Sequence, residues 1–340
     1  MRSLTWPEVI ARRLARSHLL EPAPRKRLVD VVRDTALVQA QILSAAQIGI
    51  GVRVRDVTAA DTRTELYERR SLVKTWSIRG TLHLVPADEL PLWAAAARGP
   101  DASPPTRLDE AIADALDGRC LTRKQLADAV GDDRLLSAWG ELLWMPAVTG
   151  KLCFGPPRGA NVTFVRADQW IGGWREVDPA EARREVLRRY LTAYGPARPD
   201  DFRRWSGFER NASRALFDEL ELEEVRIDGK RAWILAGDAR DFDRDPRCIR
   251  LLPRYDAYVI GFRPREPLVP EKVKVRIEDD PRGRFETVTG MAPLLVDGVV
   301  TGLWRRSKSG EIEVEHVLPL RRGRKRELEA AVARVREIAG

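Results

Sequence analysis

From Trp6 onward the apolar positions fall three and four residues apart, and the first such run opens on Thr5-Trp6-Pro7-Glu8. That is a capping box with proline in the first turn, so it predicts a helix to about His18. Pro22 and Pro24 break it. A second helical run starts near Arg27 and sets Leu28, Val31, Val32, Thr35 and Val38 on one spacing. Ser44-Ala45-Ala46-Gln47 reads as a capping box that restarts the helix, and Thr58-Ala59-Ala60-Asp61 opens another short one. Then the period changes from helical to alternating. Trp76-Ser77-Ile78 and Thr81 to Val85 flank Arg79-Gly80 as a hairpin, and Pro86 ends it.

The same order recurs. A helix from Leu108, a second capped by Thr122-Arg123-Lys124-Gln125 and a third over Leu135 to Met145 lead into a hairpin of Lys151 to Phe154 with Asn161 to Val165. A third copy has a helix from Glu181 to Tyr194, short helices near 200–205 and 212–220, and a hairpin turning on Asp228-Gly229. A fixed order at a spacing of roughly 70 to 80 residues is an internal repeat. Three helices and a hairpin make a winged helix, which commonly lays one helix in the DNA major groove. Winged helices also serve as protein–protein scaffolds.

Beyond Pro246 the runs 251–261, 271–277, 285–289, 294–296, 299–304 and 311–316 read as strands, with Asp297-Gly298 as a tight turn and a closing helix over 326–338. The predicted fold class is α+β: three tandem winged-helix repeats and a C-terminal β-rich domain. The expected domains are 1–97, 104–175, 180–240 and 246–340. The stretch Trp304 to Glu311 would form a basic hairpin tip, with Arg305, Arg306 and Lys308 either entering a DNA groove or merely solvated. Arg321 to Arg326 is a phosphate patch or an exposed connection.

Composition narrows the partner. The chain has 340 residues with a formal net charge of +8, 44% hydrophobic and 32% charged, which is globular and basic. A basic excess favours an anionic partner, nucleic acid above all, unless the arginines are simply solvated helix faces. Three scattered cysteines and three scattered histidines offer neither a disulfide framework nor a metal clip. No metal or cofactor is expected. No apolar stretch reaches membrane-spanning length, and Met1 to Leu20 lacks signal-peptide features, so the expectation is a cytoplasmic protein with no membrane partner. A monomer is expected, since three fused repeats already give an extended footprint.

Phosphate-loop, dinucleotide, serine-hydrolase and zinc-protease motifs are all missing from the sequence. What remains is Gln39-Ala40-Gln41 within an apolar run. In a regular helix residues i and i+2 point about 200° apart, so the two amides would diverge. At a helix end or junction they could converge. The alternative is that one Gln caps orphan carbonyls and the other is exposed.

Val38-Gln39-Ala40-Gln41-Ile42-Leu43-Ser44-Ala45-Ala46, Leu72 to Leu84, Leu251 to Gly261 and Leu294 to Trp304 together resemble the AlkZ/YcaQ superfamily. That resemblance spans essentially the whole chain. It implies bacterial winged-helix DNA glycosylases that remove bulky N7-alkylguanine adducts and unhook interstrand crosslinks. It further implies three tandem winged helices forming a basic concave surface for duplex DNA. By that resemblance Gln39 and Gln41 match the Gln–apolar–Gln catalytic motif, and Trp304 to Glu315 is the candidate for the family's basic hairpin. Gln is neutral, so its amide can hold a water and aim a carbonyl dipole at positive charge developing on the sugar. An N7-alkylated guanine is already cationic and leaves without an acid. Arg79 is a candidate phosphate contact. His83 faces the DNA cleft or is a satisfied wing histidine. Asp34 either orients Gln41 or caps, and Tyr255-Asp256 begins a strand. The competing readings are a non-catalytic DNA-binding regulator and a scaffold that never touches DNA.

Overall fold

A computed structural model describes residues 2–137, 140–279 and 290–340. It is a mixed α and β protein of helices and small sheets, in two compact units: Met1–Thr62 with Arg188–Gly340, and the intervening Arg63–Leu187.

The first unit opens with the strand Arg2–Leu4, which pairs in parallel with Leu222–Ile227. Nothing in the sequence announced so short a strand. Helix Trp6–Arg16 follows on its predicted box: the Thr5 amide and hydroxyl both donate to Glu8, at 2.7 and 2.8 Å. The helix buries Val9, Ile10 and Leu14, but Arg12 and Arg13 are buried with them. Arg12 pairs with Asp238 at 2.7 Å. Arg13 donates to the carbonyls of Pro196 and Arg263 and lies 4.5 Å from the Phe262 ring centre. Part of the basic composition is therefore internal scaffold, since a buried cation is tolerated only with such partners.

The hairpin Leu222–Ile227 with Lys230–Leu235 turns on Asp228 and Gly229, both at positive φ (46° and 79°), as its residue types require. Helices Pro199–Ser206 and Arg210–Asp218 precede it, and Ala197 bridges to Trp233. Tyr190, Phe202 and Trp205 form an aromatic cluster between them, with Tyr190 and Trp205 ring centres 4.8 Å apart.

The C-terminal part holds a four-stranded antiparallel sheet in the order Ile249–Leu251, Pro293–Val296, Val299–Arg306, Ile312–His316. Two predicted strands are helices instead. Glu271–Glu278 is helical and buries Val273 and Ile277, four apart, while Val275 is exposed. After Leu251 the chain leaves the sheet, and Ala257–Gly261 is helical, capped by Asp256. The predicted strand 285–289 lies outside the described residues. Helix Lys325–Ala339 closes the chain.

In the second unit, helices Arg107–Ala115 and Arg123–Val130 begin on capping boxes at Thr106/Asp109 and Thr122/Gln125. Leu121–Thr122 pairs with Asn161–Val165, which pairs with Cys153–Arg158. The predicted third helix is instead broken into short turns over Asp133–Leu136 and Glu141–Leu143, then helix Trp144–Val148. Strands Leu72–Trp76 and Leu82–Pro86 form the other hairpin. Trp76 packs on Phe154 with ring centres 5.0 Å apart. Among the described residues, no helix is long and apolar enough to cross a membrane and no cluster of three His, Cys, Asp or Glu could hold a metal.

Candidate active site

The helix leading to the glutamines stops earlier than its apolar spacing suggests. It spans Leu28–Asp34, and Thr35 folds its hydroxyl back onto the Val31 carbonyl at 2.8 Å. Ala36 and Leu37 then adopt φ of 50° and 80°. Two consecutive non-glycine residues in the left-handed region cost roughly 1–2 kcal/mol each. The surroundings enforce them. Both are buried, and their amides donate to Arg33 and Val32 at 3.0 and 3.1 Å. The Tyr194 hydroxyl donates to the Thr35 carbonyl at 2.7 Å from a buried position. A Cβ on Gly261 would sit 2.4 Å from the Tyr194 ring, so glycine there lets the tyrosine reach the turn.

The turn delivers an extended backbone over Val38–Gln39, and it is extended again at Ile42 (φ −116°, ψ 109°). Neither Gln39 nor Gln41 is helical, so the divergence expected of a helical pair does not apply; Gln41 lies in a bend. Val38 and Ala40 are buried, Gln39 is half-buried and Gln41 is exposed.

Helix Leu43–Gly51 follows, one residue ahead of the expected Ser44 box, with Ile42 at its N-cap and no side-chain cap. Three devices fix it. Gln47 donates to the Ala59 carbonyl at 2.9 Å. Arg53 bonds the Gly49 carbonyl and both oxygens of Asp256, each at 2.7 Å, with both side chains only 1% exposed. Burial disfavours the Arg53 charge, but the Asp256 carboxylate more than offsets that and holds the guanidinium pKa above its ordinary value. Arg334 of the terminal helix donates to the carbonyls of Gly51, Val54 and Val57. A Cβ on Gly51 would lie 2.5 Å from Ile338, so this close approach needs glycine. Asp256 also caps Ala257–Gly261 through the Tyr258 amide, so Tyr255-Asp256 starts a helix rather than a strand.

The start of helix Leu43–Gly51 forms one wall of a groove of about 640 Å³. Ile42, Ser44 and Ile48 face it from one side, and Trp304, Arg305 and Arg306 from the sheet. The structure thus brings the segment just after Gln41 together with two of the three predicted basic hairpin residues. Arg305 pairs with Glu313 at 2.6 Å across the strands, Arg306 reaches the Gly340 carbonyl at 3.3 Å, and Lys308 is exposed in the turn. Arg254 and Arg276, which also line the groove, were not singled out in the sequence. Arg254 sits in a turn beside Tyr255 at φ 59°, a conformation no local sequence signal marks.

Arg79 and His83 lie in the second unit. Arg79 is half-buried with φ 59° and its guanidinium is 3.2 Å from His83 Nε2. His83 is 2% exposed and its Nδ1 lies 2.9 Å from the Thr81 carbonyl. Burial, and then the Arg79 charge, push its pKa down to about 3. The buried ring is held at both nitrogens, beside Arg79 and against the Thr81 carbonyl. Asp34 is bound by His18 at 2.7 Å and Arg27 at 3.0 Å, a local anchor at its helix end. In the basic stretch 321–326, Arg324 is buried on Asp297 and Glu327, while Arg321, Arg322, Lys325 and Arg326 are exposed.

Known proteins place this architecture. A family model described as DNA glycosylase AlkZ-like matches residues 32–338. An interstrand DNA cross-link repair glycosylase of Streptomyces sahachiroi is 32% identical over 334 residues, covering 88% of this chain and 87% of that protein. The solved Streptomyces sahachiroi DNA glycosylase AlkZ matches 100% of this chain and 98% of its own, with a TM-score of 0.82 at 29% identity. The protein is therefore an enzyme, a monofunctional DNA glycosylase. Within that class, the chain belongs to the AlkZ-like DNA glycosylase family.

Proposed function

We propose that this enzyme hydrolyses the N-glycosidic bond of N7-alkylguanine and related bulky or crosslinked adducts in duplex DNA, with Gln39 and Gln41 as its catalytic pair. The observation that carries this reading is the non-helical Gln39–Gln41 segment, with Gln41 exposed, running directly into Ile42 at a groove lined by Arg254, Arg276, Arg305 and Arg306 together with Glu313 and Glu315. Two neutral amides there position a water at C1′ and offer carbonyl dipoles to the oxocarbenium. Such a pair suffices only where the leaving group is already activated, and N7-alkylation supplies that activation as positive charge on the base. The crosslink activity in the name of the Streptomyces sahachiroi relative supports the bulky end of this substrate range.

We read the chain as three tandem winged helices, which is the DNA-binding side of the proposal. The order helix, short strand, helix, helix, hairpin recurs along the chain, with a short segment before the second helix pairing to the last strand in the copies at Leu121–Thr122 and Ala197. Arg305, Arg306 and Lys308 then contact phosphates from the basic hairpin, and Arg79 from the first wing. The enzyme acts as a monomer.

The test is release of free N7-methylguanine from methylated duplex. Wild type releases the base and leaves an abasic site. Gln41→Ala loses activity on the order of 10²–10³-fold, as for loss of one preorganised dipole. Gln41→Asp retains or shifts activity. An unchanged rate in the Gln39→Ala/Gln41→Ala double variant overturns the assignment. Wild-type binding without release of this base would instead remove N7-methylguanine from the enzyme's substrates.

A further inference from the structure

Ile42 violates two local rules at once. It occupies the N-cap of helix Leu43–Gly51, a position that favours Ser, Thr, Asp or Asn, and no side chain caps that helix. It is also 38% exposed. Val275, Val162 and Leu136 are exposed too, and single exposed aliphatics are ordinary. Val275 and Val162, however, sit inside a helix and a strand where nothing better is displaced. Ile42 displaces a cap, and it directly follows Gln41.

The surroundings say what the side chain can meet. Ile42 lines the groove together with the apolar Ala45, Ile48 and Trp304, with Arg254, Arg305 and Arg306, and with Glu313, which pairs with Arg305. The arginines suit phosphates. An aliphatic group among them suits the flat, apolar faces of bases. Apolar side chains inserted at a base step unstack it, a common device where the helix must open. The strained Ala36-Leu37 turn, pinned by Tyr194, fixes the segment that carries both the glutamines and Ile42. The backbone strain and the missing cap then serve one purpose.

We propose that Ile42 is a wedge that presses into the base step beside the lesion and opens the sugar to the water held by Gln39 and Gln41. This rests on the glycosylase reading with N7-alkylguanine as substrate. The step breaks no covalent bond of its own.

The experiment uses the full chain and a duplex with one N7-methylguanine flanked by 2-aminopurine, whose fluorescence rises on unstacking. Wild type should give that rise and release the base. Ile42→Ser restores a favoured N-cap, so its melting temperature should hold or rise. It should nonetheless lose the fluorescence rise and slow single-turnover release at least tenfold. Ile42→Val, which keeps an aliphatic group, should retain most of both signals. The wedge is overturned if Ile42→Ser keeps the fluorescence rise or releases base at the wild-type rate. It is equally overturned if the loss appears only with bulky adducts, because Ile42 would then be reading the adduct. If wild type itself releases no base, the substrate reading falls first; if wild type does so and Ile42→Ser matches it, the wedge alone falls.

Discussion

The segment Gln39–Ile42 and the hairpin Leu72–Pro86 each carry residues that sequence reasoning marked for function, and they treat those residues in opposite ways. In the hairpin the strands register cleanly from Leu72 with Pro86 to Trp76 with Leu82, and His83 is folded inside, neutral. In the other segment a strained turn, an apolar N-cap and an unusual extended stretch turn Gln41 and Ile42 outward. Polar groups that satisfy each other are architecture. Backbone that is held out of its preferred state, with exposed side chains beside it, is where the proposed chemistry is placed.

That contrast can be broken most severely at the support of the outward-facing segment. Asp256→Ala leaves Arg53 buried without its partner and should cost about 3–5 kcal/mol in denaturant unfolding. The double change Arg53→Met with Asp256→Leu should recover much of it. A loss below about 1 kcal/mol in the single variant would mean the ion pair does not anchor the helix.

The hairpin gives the next largest effect. His83 has a folded pKa of about 3 against an ordinary 6.5. Between those values the unfolded chain binds a proton that the folded one refuses, so stability falls as pH drops below 6.5. From pH 7 to pH 5 the loss should be about 2 kcal/mol from this group. His83→Gln should remove that share of the pH dependence and leave excision intact. A His83→Gln enzyme with normal stability but defective DNA binding would return the histidine to the interface.

The smallest expected effect sharpens the contrast at the turn itself. Tyr194→Phe removes the hydroxyl that holds the Thr35 carbonyl and should cost about 1 kcal/mol. The rate of base release should fall several-fold while affinity for undamaged duplex holds. Equal losses in both would make Tyr194 a plain core residue.

Much of the fold was legible because its signals are local. The Thr5–Glu8 and Thr122–Gln125 boxes form as written, and Asp228-Gly229 and Asp297-Gly298 turn with both residues at positive φ. The misreadings share one cause. Val273, Val275 and Ile277 fit a two-residue period as well as a helical one, and only burial of Val273 and Ile277 with exposure of Val275 separates them. In Tyr258-Val259-Ile260 the residue types argue for a strand, while the capping aspartate just before them decides for a helix. The Gln39–Gln41 pair was found by residue type, but its geometry was illegible. Ala36 and Leu37 carry no sequence mark of a left-handed turn, and Tyr194, which enforces it, lies 159 residues away.

That distance is longer still for the ion pair beneath the groove, where Arg53 and Asp256 are 203 residues apart. At ordinary rates of protein synthesis, about 5–20 residues per second, the interval between them is on the order of 10–40 s. Throughout it Gln39 and Gln41 are already synthesised while the wall that holds them is incomplete. A product cut short between residues 53 and 256 would contain both glutamines but not the carboxylate that partners the buried Arg53, so the support beneath this segment is completed only late in translation.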